Sequence, residues 1–120
     1  MNKYRDKSDF EINKAVADFY LTREYRFNSA DKIVELMDID LSCEFGGEIN
    51  LKDKYVTGTF DPCNNPADAM PIIIENGISM IKSSGGWMCC HGAAGVIEHE
   101  KLYRAAMELF LMMNGAENEK

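Results

Sequence analysis

The chain is poor in the residues that mark a familiar reactive or metal-binding site. It has 4 cysteines but no Cys-x-x-Cys pair, and only 2 histidines. A zinc site from Cys63, Cys89 or Cys90, His91 and His99 would match no established ligand spacing, so no metal or other cofactor is expected. Adjacent Cys89 and Cys90 would point to opposite faces of a strand, which keeps them from sharing one ion. No apolar run is long enough to span a membrane. The start, Met1-Asn2-Lys3-Tyr4-Arg5-Asp6-Lys7, is basic but leads into no apolar segment, which argues against a secretory signal and for the cytoplasm. There the cysteines are expected as free thiols. Positive charge is also scarce, with 13 Lys and Arg against 20 Asp and Glu and a net charge of -7. Only Lys3, Arg5, Lys7 and Arg23, Arg26 lie near one another, which argues against a nucleic-acid partner, since phosphates call for clustered cations. The acids are equally dispersed, so a DNA-mimicking face is absent too. Gly92-Ala93-Ala94-Gly95 lacks the lysine and the glycine spacing of a phosphate loop and reads as a tight connection. No repeat, low-complexity segment or linker divides residues 1–120, which are read as a single domain.

What the chain does have is a dense set of local instructions in its middle. Phe60 closes a β-like run, Asp61 to Asn65 form a turn, and Asn65 is placed to cap a helix whose first residue is Pro66. Asp68 adds negative charge to the first turn, Pro71 is expected to kink or interrupt the helix, and Asn76-Gly77 supplies a left-handed stop. Upstream, Ser8 and Glu11 make a capping box for a helix to about Leu21, with Ile12, Ala15, Val16, Phe19 and Tyr20 as its apolar face. Residues 22–28 read as a loop. Ser29 to Met37 fits either a short helix or a strand, and from Met37 the alternation through Ile39, Leu41 and Cys43 is that of a strand with one wet face. Gly46-Gly47 marks a turn, Ile49 and Leu51 a weak strand, and Asp53-Lys54 another turn. Tyr55 to Phe60 reads as a strand in which Gly58 marks a bulge or a close backbone approach. Ile78–Ile81 and Trp87–His91 flank Ser83-Ser84-Gly85-Gly86 as a hairpin. A last helix is expected from about Glu98 to Asn114, stopping at Gly115. Its inner face is Leu102, Ala105, Ala106, Leu109, Phe110 and Met113, with Arg104 and Glu108 pairing on the opposite side. Leu109 to Met113 is apolar nearly all round, so this turn is either buried on two sides or part of a subunit interface. The sum is an α+β fold: a small mixed or antiparallel sheet, N- and C-terminal helices packed on it, and a short Pro-kinked central helix.

Two chemistries compete for the central turn. Cys63 with His91 and Asp61 is the one nucleophile–base–acid set that can be assembled, and no nucleophile-elbow pattern supports it. A binding site is favoured over an enzyme. Asp61, Cys63, Asn64, Asn65 and Asp68 cluster at a helix N-terminus, where free N–H groups favour an anion or a carbonyl. Trp87, the only tryptophan, and Arg104 would add a flat wall and a cation.

Three blocks together resemble the NinX-like family of small phage and prophage proteins. The first is Ser8-Asp9-Phe10-Glu11-Ile12-Asn13 with Val16-Ala17; the second runs from Cys63-Asn64-Asn65-Pro66-Ala67-Asp68-Ala69 through Pro71-Ile72-Ile73 and Glu75-Asn76 to Ile78-Ser79. The third is Arg104-Ala105-Ala106-Met107 with Phe110-Leu111-Met112-Met113. The chain departs from the family at Met70, where a tryptophan is usual, and at Glu100-Lys101-Leu102-Tyr103, where Asn-Pro usually precedes the arginine run. The resemblance implies a phage-encoded, cytoplasmic, dispensable accessory protein that modulates the host. The expected mode is binding of a host protein or small ligand, including sequestration of a nucleotide-type signal, by a homo-oligomer. A small Cys/His enzyme and a structural assembly factor are the alternatives.

Overall fold

In the computed structural model, residues 4–39, 54–92 and 94–118 are described. The order is α1 (Asp9–Tyr20), β1 (Tyr25–Asn28), β2 (Ile33–Ile39), β3 (Lys54–Phe60), α2 (Pro66–Asn76), β4 (Ser79–Ser83), β5 (Gly86–His91), β6 (Gly95–His99) and α3 (Leu102–Asn118). The fold is α+β, with helices at both ends and all strand pairs antiparallel. The strands divide into two three-stranded sheets, β1-β2-β3 and β4-β5-β6.

The local signals for the two capped helices operate as read. Glu11 N–H donates to Ser8 Oγ at 3.2 Å and Ser8 N–H to Glu11 Oε1 at 3.3 Å, closing the capping box. Asn65 Oδ1 accepts the Ala67 N–H at 3.0 Å, Pro66 opens α2, and Gly77 ends it at φ 65°. Pro71 does not interrupt α2. Its missing hydrogen bond would have gone to the Ala67 carbonyl, and both residues are solvent-exposed, so water can serve that oxygen.

Several elements differ from the sequence reading. Residues 25–28 are a strand rather than loop, pairing Tyr25 with Leu36 and Asn28 with Ile33. Tyr25 and Phe27 alternate with Arg26 and Asn28, but so short a period does not settle a strand, and the pairing with β2 decides it. Ile33–Ile39 is strand throughout, because β1 and β3 offer ladders on both sides. The expected continuation through Leu41 and Cys43, the Gly46-Gly47 turn, the Ile49/Leu51 strand and Asp53 lie outside the described residues. The bulge at Gly58 is present: Leu36 pairs with Gly58 but Met37 with Val56, leaving Thr57 as the extra residue. At the other end, α3 starts at Leu102 rather than Glu98, because Gly95–His99 is spent as the third strand of its sheet. The helix also runs past Gly115 to Asn118. The buried face of α1 is Ile12, Asn13, Val16 and Ala17, and Phe19 is 44% exposed. The apolar stripe is thus rotated toward a buried asparagine, for reasons given below.

α3 is the centre of the molecule. It packs on β5 and β6 on one side and on α1 and α2 on the other. Met80, Cys89 and Ile97 form a cross-strand row in the core on its sheet side. Residues 104–111 of α3 are all buried. The all-round apolar turn is therefore explained inside one chain, and Leu109, Phe110 and Leu111 present no surface to a second copy. Arg104 and Glu108 pair as expected, but not on an outward side. They are 5% and 0% exposed.

Candidate functional site

The Asp61–Asn65 turn is a hub. The Asp61 carbonyl accepts the N–H groups of Asn64 at 3.1 Å and Asn65 at 2.8 Å, and its own N–H donates to Asp68 Oδ2 at 2.9 Å. The Asp61 carboxylate accepts from Asn13 Nδ2 at 2.7 Å and from Asn64 Nδ2 at 3.1 Å. Asn13 Oδ1 in turn accepts the Cys63 N–H at 3.1 Å. Asn13 thus clamps α1 to the turn with both ends of its amide, which is why it faces inward.

Asn64 Nδ2 also reaches Asp9 Oδ2 at 3.2 Å, linking the turn to an ion-pair cluster. Asp9 accepts from Lys101 Nζ at 2.5 Å and from a terminal guanidinium nitrogen of Arg104 at 2.6 Å. Burial acts to raise the Asp9 carboxyl, but the Lys101, Arg104 and Asn64 donors outweigh it and bring it down to about 2. Arg104 Nε donates to Glu108 Oε2 at 2.5 Å, and the other terminal nitrogen donates to the carbonyls of Tyr4 at 3.1 Å and Lys7 at 2.6 Å. Burial works against the Arg104 charge, yet the Asp9 and Glu108 contacts push its pKa up.

This geometry gives the expected site residues different roles. Asp61, Asn64 and Arg104 are brought together through Asp9 and Asn13, but their hydrogen-bonding capacity is largely used within the chain. Asn65 and Asp68 serve the cap and the turn. Cys63 is 1% exposed, and its thiol lies 3.9 Å from the Asp9 carbonyl. Burial, reinforced by the Asp9 charge, pushes that thiol far up, so it is held as the neutral S–H. His91 ends β5 opposite Gly95. Among the described residues no three His, Cys, Asp or Glu side chains group to hold a metal ion. A cavity of about 140 Å³ lies over the hub, lined by Asp9, Asn13, Lys32, Thr59, Asp61 and Asn64 among others.

Trp87 does not join this cluster. It lines a separate cleft of about 320 Å³ with Arg5, Ser83, Glu98, His99 and Glu100. Trp87 stands directly across from Lys82 on one side and His99 on the other. Lys82 Nζ lies 5.2 Å from the indole centroid. His99 Nδ1 accepts the Lys101 N–H at 2.9 Å, which puts the proton of the neutral ring on Nε2. Arg5 donates to the Glu98 carbonyl at 3.2 Å, fixing the arm as one wall. The hairpin tip is seated on the β6–α3 connection so closely that a Cβ on Gly86 would lie 2.6 Å from Glu100 Cα and from the His99 oxygen. Sequence reasoning found Trp87 but not Arg5, Glu98, His99 and Glu100. Taking Glu98 as the start of a helix removed it and His99 from the hairpin's sheet.

Among the described residues no helix is long and apolar enough to cross a membrane. No curated protein and no solved structure matches the chain. Residues 3–114 match the family model described as Bacteriophage P22, NinX, and the chain belongs to that family of phage proteins.

Proposed function

We propose that this phage accessory protein is a non-enzymatic binding module acting in the host cytoplasm, and that it works by capturing a small ligand. One contrast carries the reading. The reactive-looking groups of the Asp61–Asn65 turn are committed to internal hydrogen bonds or held as a buried thiol, while the Trp87 cleft is lined by polar side chains with spare capacity. Catalysis through Cys63 would need a thiolate, which its surroundings oppose. Sequestration of a nucleotide-type host signal fits a cleft with an aromatic wall. Any homo-oligomer has to use other surfaces, such as Ile74, which is 70% exposed on α2.

The test is native mass spectrometry of the protein purified from a bacterial lysate. The expected result is an added small-molecule mass that a Trp87→Ala substitution removes and a Cys63→Ala substitution leaves in place. A clean unliganded mass, together with loss of the in vivo phenotype on Cys63→Ala in a folded protein, would overturn the reading in favour of cysteine chemistry.

A further inference from the structure

We infer that the Trp87 cleft binds a phosphoryl group, held between Arg5 and Lys82 with His99 as a further donor. This rests on the binding reading above and names the part of a small captured molecule that the cleft recognises.

Strand register decides which groups face the cleft. Lys82, Trp87 and His99 pair in one row across β4, β5 and β6 and so share a face of the sheet. Glu98, one residue earlier on β6, pairs with Met88 and belongs to the opposite face. It reaches the cleft through its carbonyl, which accepts an N–H from a terminal nitrogen of Arg5 at 3.2 Å. Glu100 meets the hairpin tip through its backbone. Its Cα and N lie 2.6 and 3.0 Å from the place a Cβ on Gly86 would take.

The cations of the cleft are held in place and remain unneutralised. One terminal nitrogen of the buried Arg104 donates to the carbonyls of Tyr4, Arg5 and Lys7, which anchors the main chain beneath Arg5. The Arg5 guanidinium is anchored again on the Glu98 carbonyl, a bond that leaves most of its N–H donors free. Lys82 Nζ lies 5.2 Å from the Trp87 ring centroid, so the indole face positions the ammonium without cancelling its charge. Among the described residues the ion pairs use Arg26, Lys54, Lys101 and Arg104, and neither Arg5 nor Lys82 takes part in one.

Two unpaired cations at one cleft, on a chain of net charge -7, call for an anion. His99 adds a neutral donor, because its Nδ1 accepts the Lys101 N–H and its proton is left on Nε2. A phosphate monoester carries a charge of about -1.5 to -2 near neutral pH and several acceptor oxygens, which matches this set. A single carboxylate would leave one cation uncompensated. The row from Lys82 to His99 spans two strand spacings, roughly 10 Å, with Trp87 between them. The cleft volume of about 320 Å³ leaves room beside the phosphoryl group for whatever carries it. Since Lys82 already covers the indole, the ring serves to support the ammonium and not to stack on a base. With Arg5 fixed from two sides, little order has to be gained on binding.

Trp87 is the only tryptophan, so its emission reports the contact with Lys82. The full chain is titrated with inorganic phosphate, adenosine monophosphate, adenosine and arginine. Saturable changes are expected with phosphate and the monophosphate, and none with adenosine or arginine. Equal affinity for the two anions identifies free phosphate as the cargo, and tighter monophosphate binding identifies a nucleotide-borne one. Arg5→Gln and Lys82→Gln are each expected to weaken anion binding by about tenfold. Both side chains are exposed, so the thermal midpoint should not move. Calorimetry on Trp87→Phe, which keeps a ring beneath Lys82, is expected to show phosphate still bound. Glu100→Gln, which removes a negative charge next to the cleft, is expected to bind phosphate at least as tightly as the parent. No saturable binding of either anion, adenosine bound as tightly as its monophosphate, unchanged affinity in Arg5→Gln, or weaker affinity in Glu100→Gln would overturn the inference. A neutral molecule captured in native mass spectrometry would leave the binding reading standing and remove only the phosphoryl assignment.

Discussion

Arg104, on the last helix, donates to the Asp9 carboxylate at 2.6 Å, although 95 residues separate them in the chain. The contact ties the first turn of α1 to the first turn of α3. Through its other nitrogens the same guanidinium holds the carbonyls of the N-terminal arm and the fully buried Glu108. Each partner compensates the desolvation of the others, so the cluster stands or falls together.

Removing the cation alone should therefore be severe. Arg104→Met strips Asp9 and the buried Glu108 of their shared guanidinium and is expected to cost about 3–5 kcal/mol of stability. Restoring neutrality with Glu108→Leu in the same chain is expected to recover much of that loss, because an apolar pair needs no desolvation. Urea denaturation of the single and double variants measures both effects. A single variant as stable as the parent would show that the guanidinium is not holding these elements together.

Asp9 makes stability depend on pH in a predictable direction. Its carboxyl is lowered from the usual 3.8 to about 2, so the folded state binds the proton less well than the unfolded chain. The contribution is present above the unfolded value and is lost as pH falls through about 2. Discounted for partial exposure, it is about 1 kcal/mol. Urea midpoints measured between about pH 5 and pH 2 should fall less steeply for Asp9→Asn than for the parent. Identical slopes would place the acid sensitivity elsewhere.

Thiol reactivity should separate the described cysteines. Cys63 and Cys89 are buried, and burial raises both thiols, Cys89 to about 11 with the neighbouring Cys90 adding to the shift. Cys90 is only partly covered. Native alkylation followed by peptide mass mapping is expected to label Cys90 well before Cys63 or Cys89. Fast labelling of Cys63 would revive the enzyme alternative.

Gly86 tests how tightly the hairpin tip is seated. Gly86→Ala places a methyl carbon against the Glu100 backbone at φ 149°, a conformation that L side chains rarely adopt. The expected cost is about 2–3 kcal/mol, with a red-shifted Trp87 emission as the cleft opens. Gly77→Ala, strained only by its positive φ and with open space around its Cβ, should cost about 1 kcal/mol and leave the emission unchanged. Thermal melts and emission spectra of both variants decide it.

The sequence alone determined what depends on near neighbours. Ser8 and Glu11 start α1, Asn65 and Pro66 start α2, Gly77 ends it, Gly58 sits at the bulge, and Ser83 to Gly86 turn the hairpin. These work because a cap or turn is settled within four or five residues of chain. The three blocks of the family resemblance likewise needed no fold. Tertiary structure decided the rest. Gly95–His99 is a strand because β5 supplies hydrogen-bonding partners, which no local period records, and the brief alternation from Tyr25 to Asn28 becomes a strand only through its pairing with β2. Arg104 and Glu108 look like a surface pair at helical spacing, and they are buried because α3 is covered on both sides. The turn from Asp61 to Asn65 reads as a binding surface, yet Asn13 and Asp9, brought in from α1, occupy its polar atoms. Trp87 stands out in the sequence as the only tryptophan, but Arg5, His99 and Glu100 reach it from the N-terminal arm, the end of β6 and the β6–α3 connection, which meet the hairpin only in the folded chain.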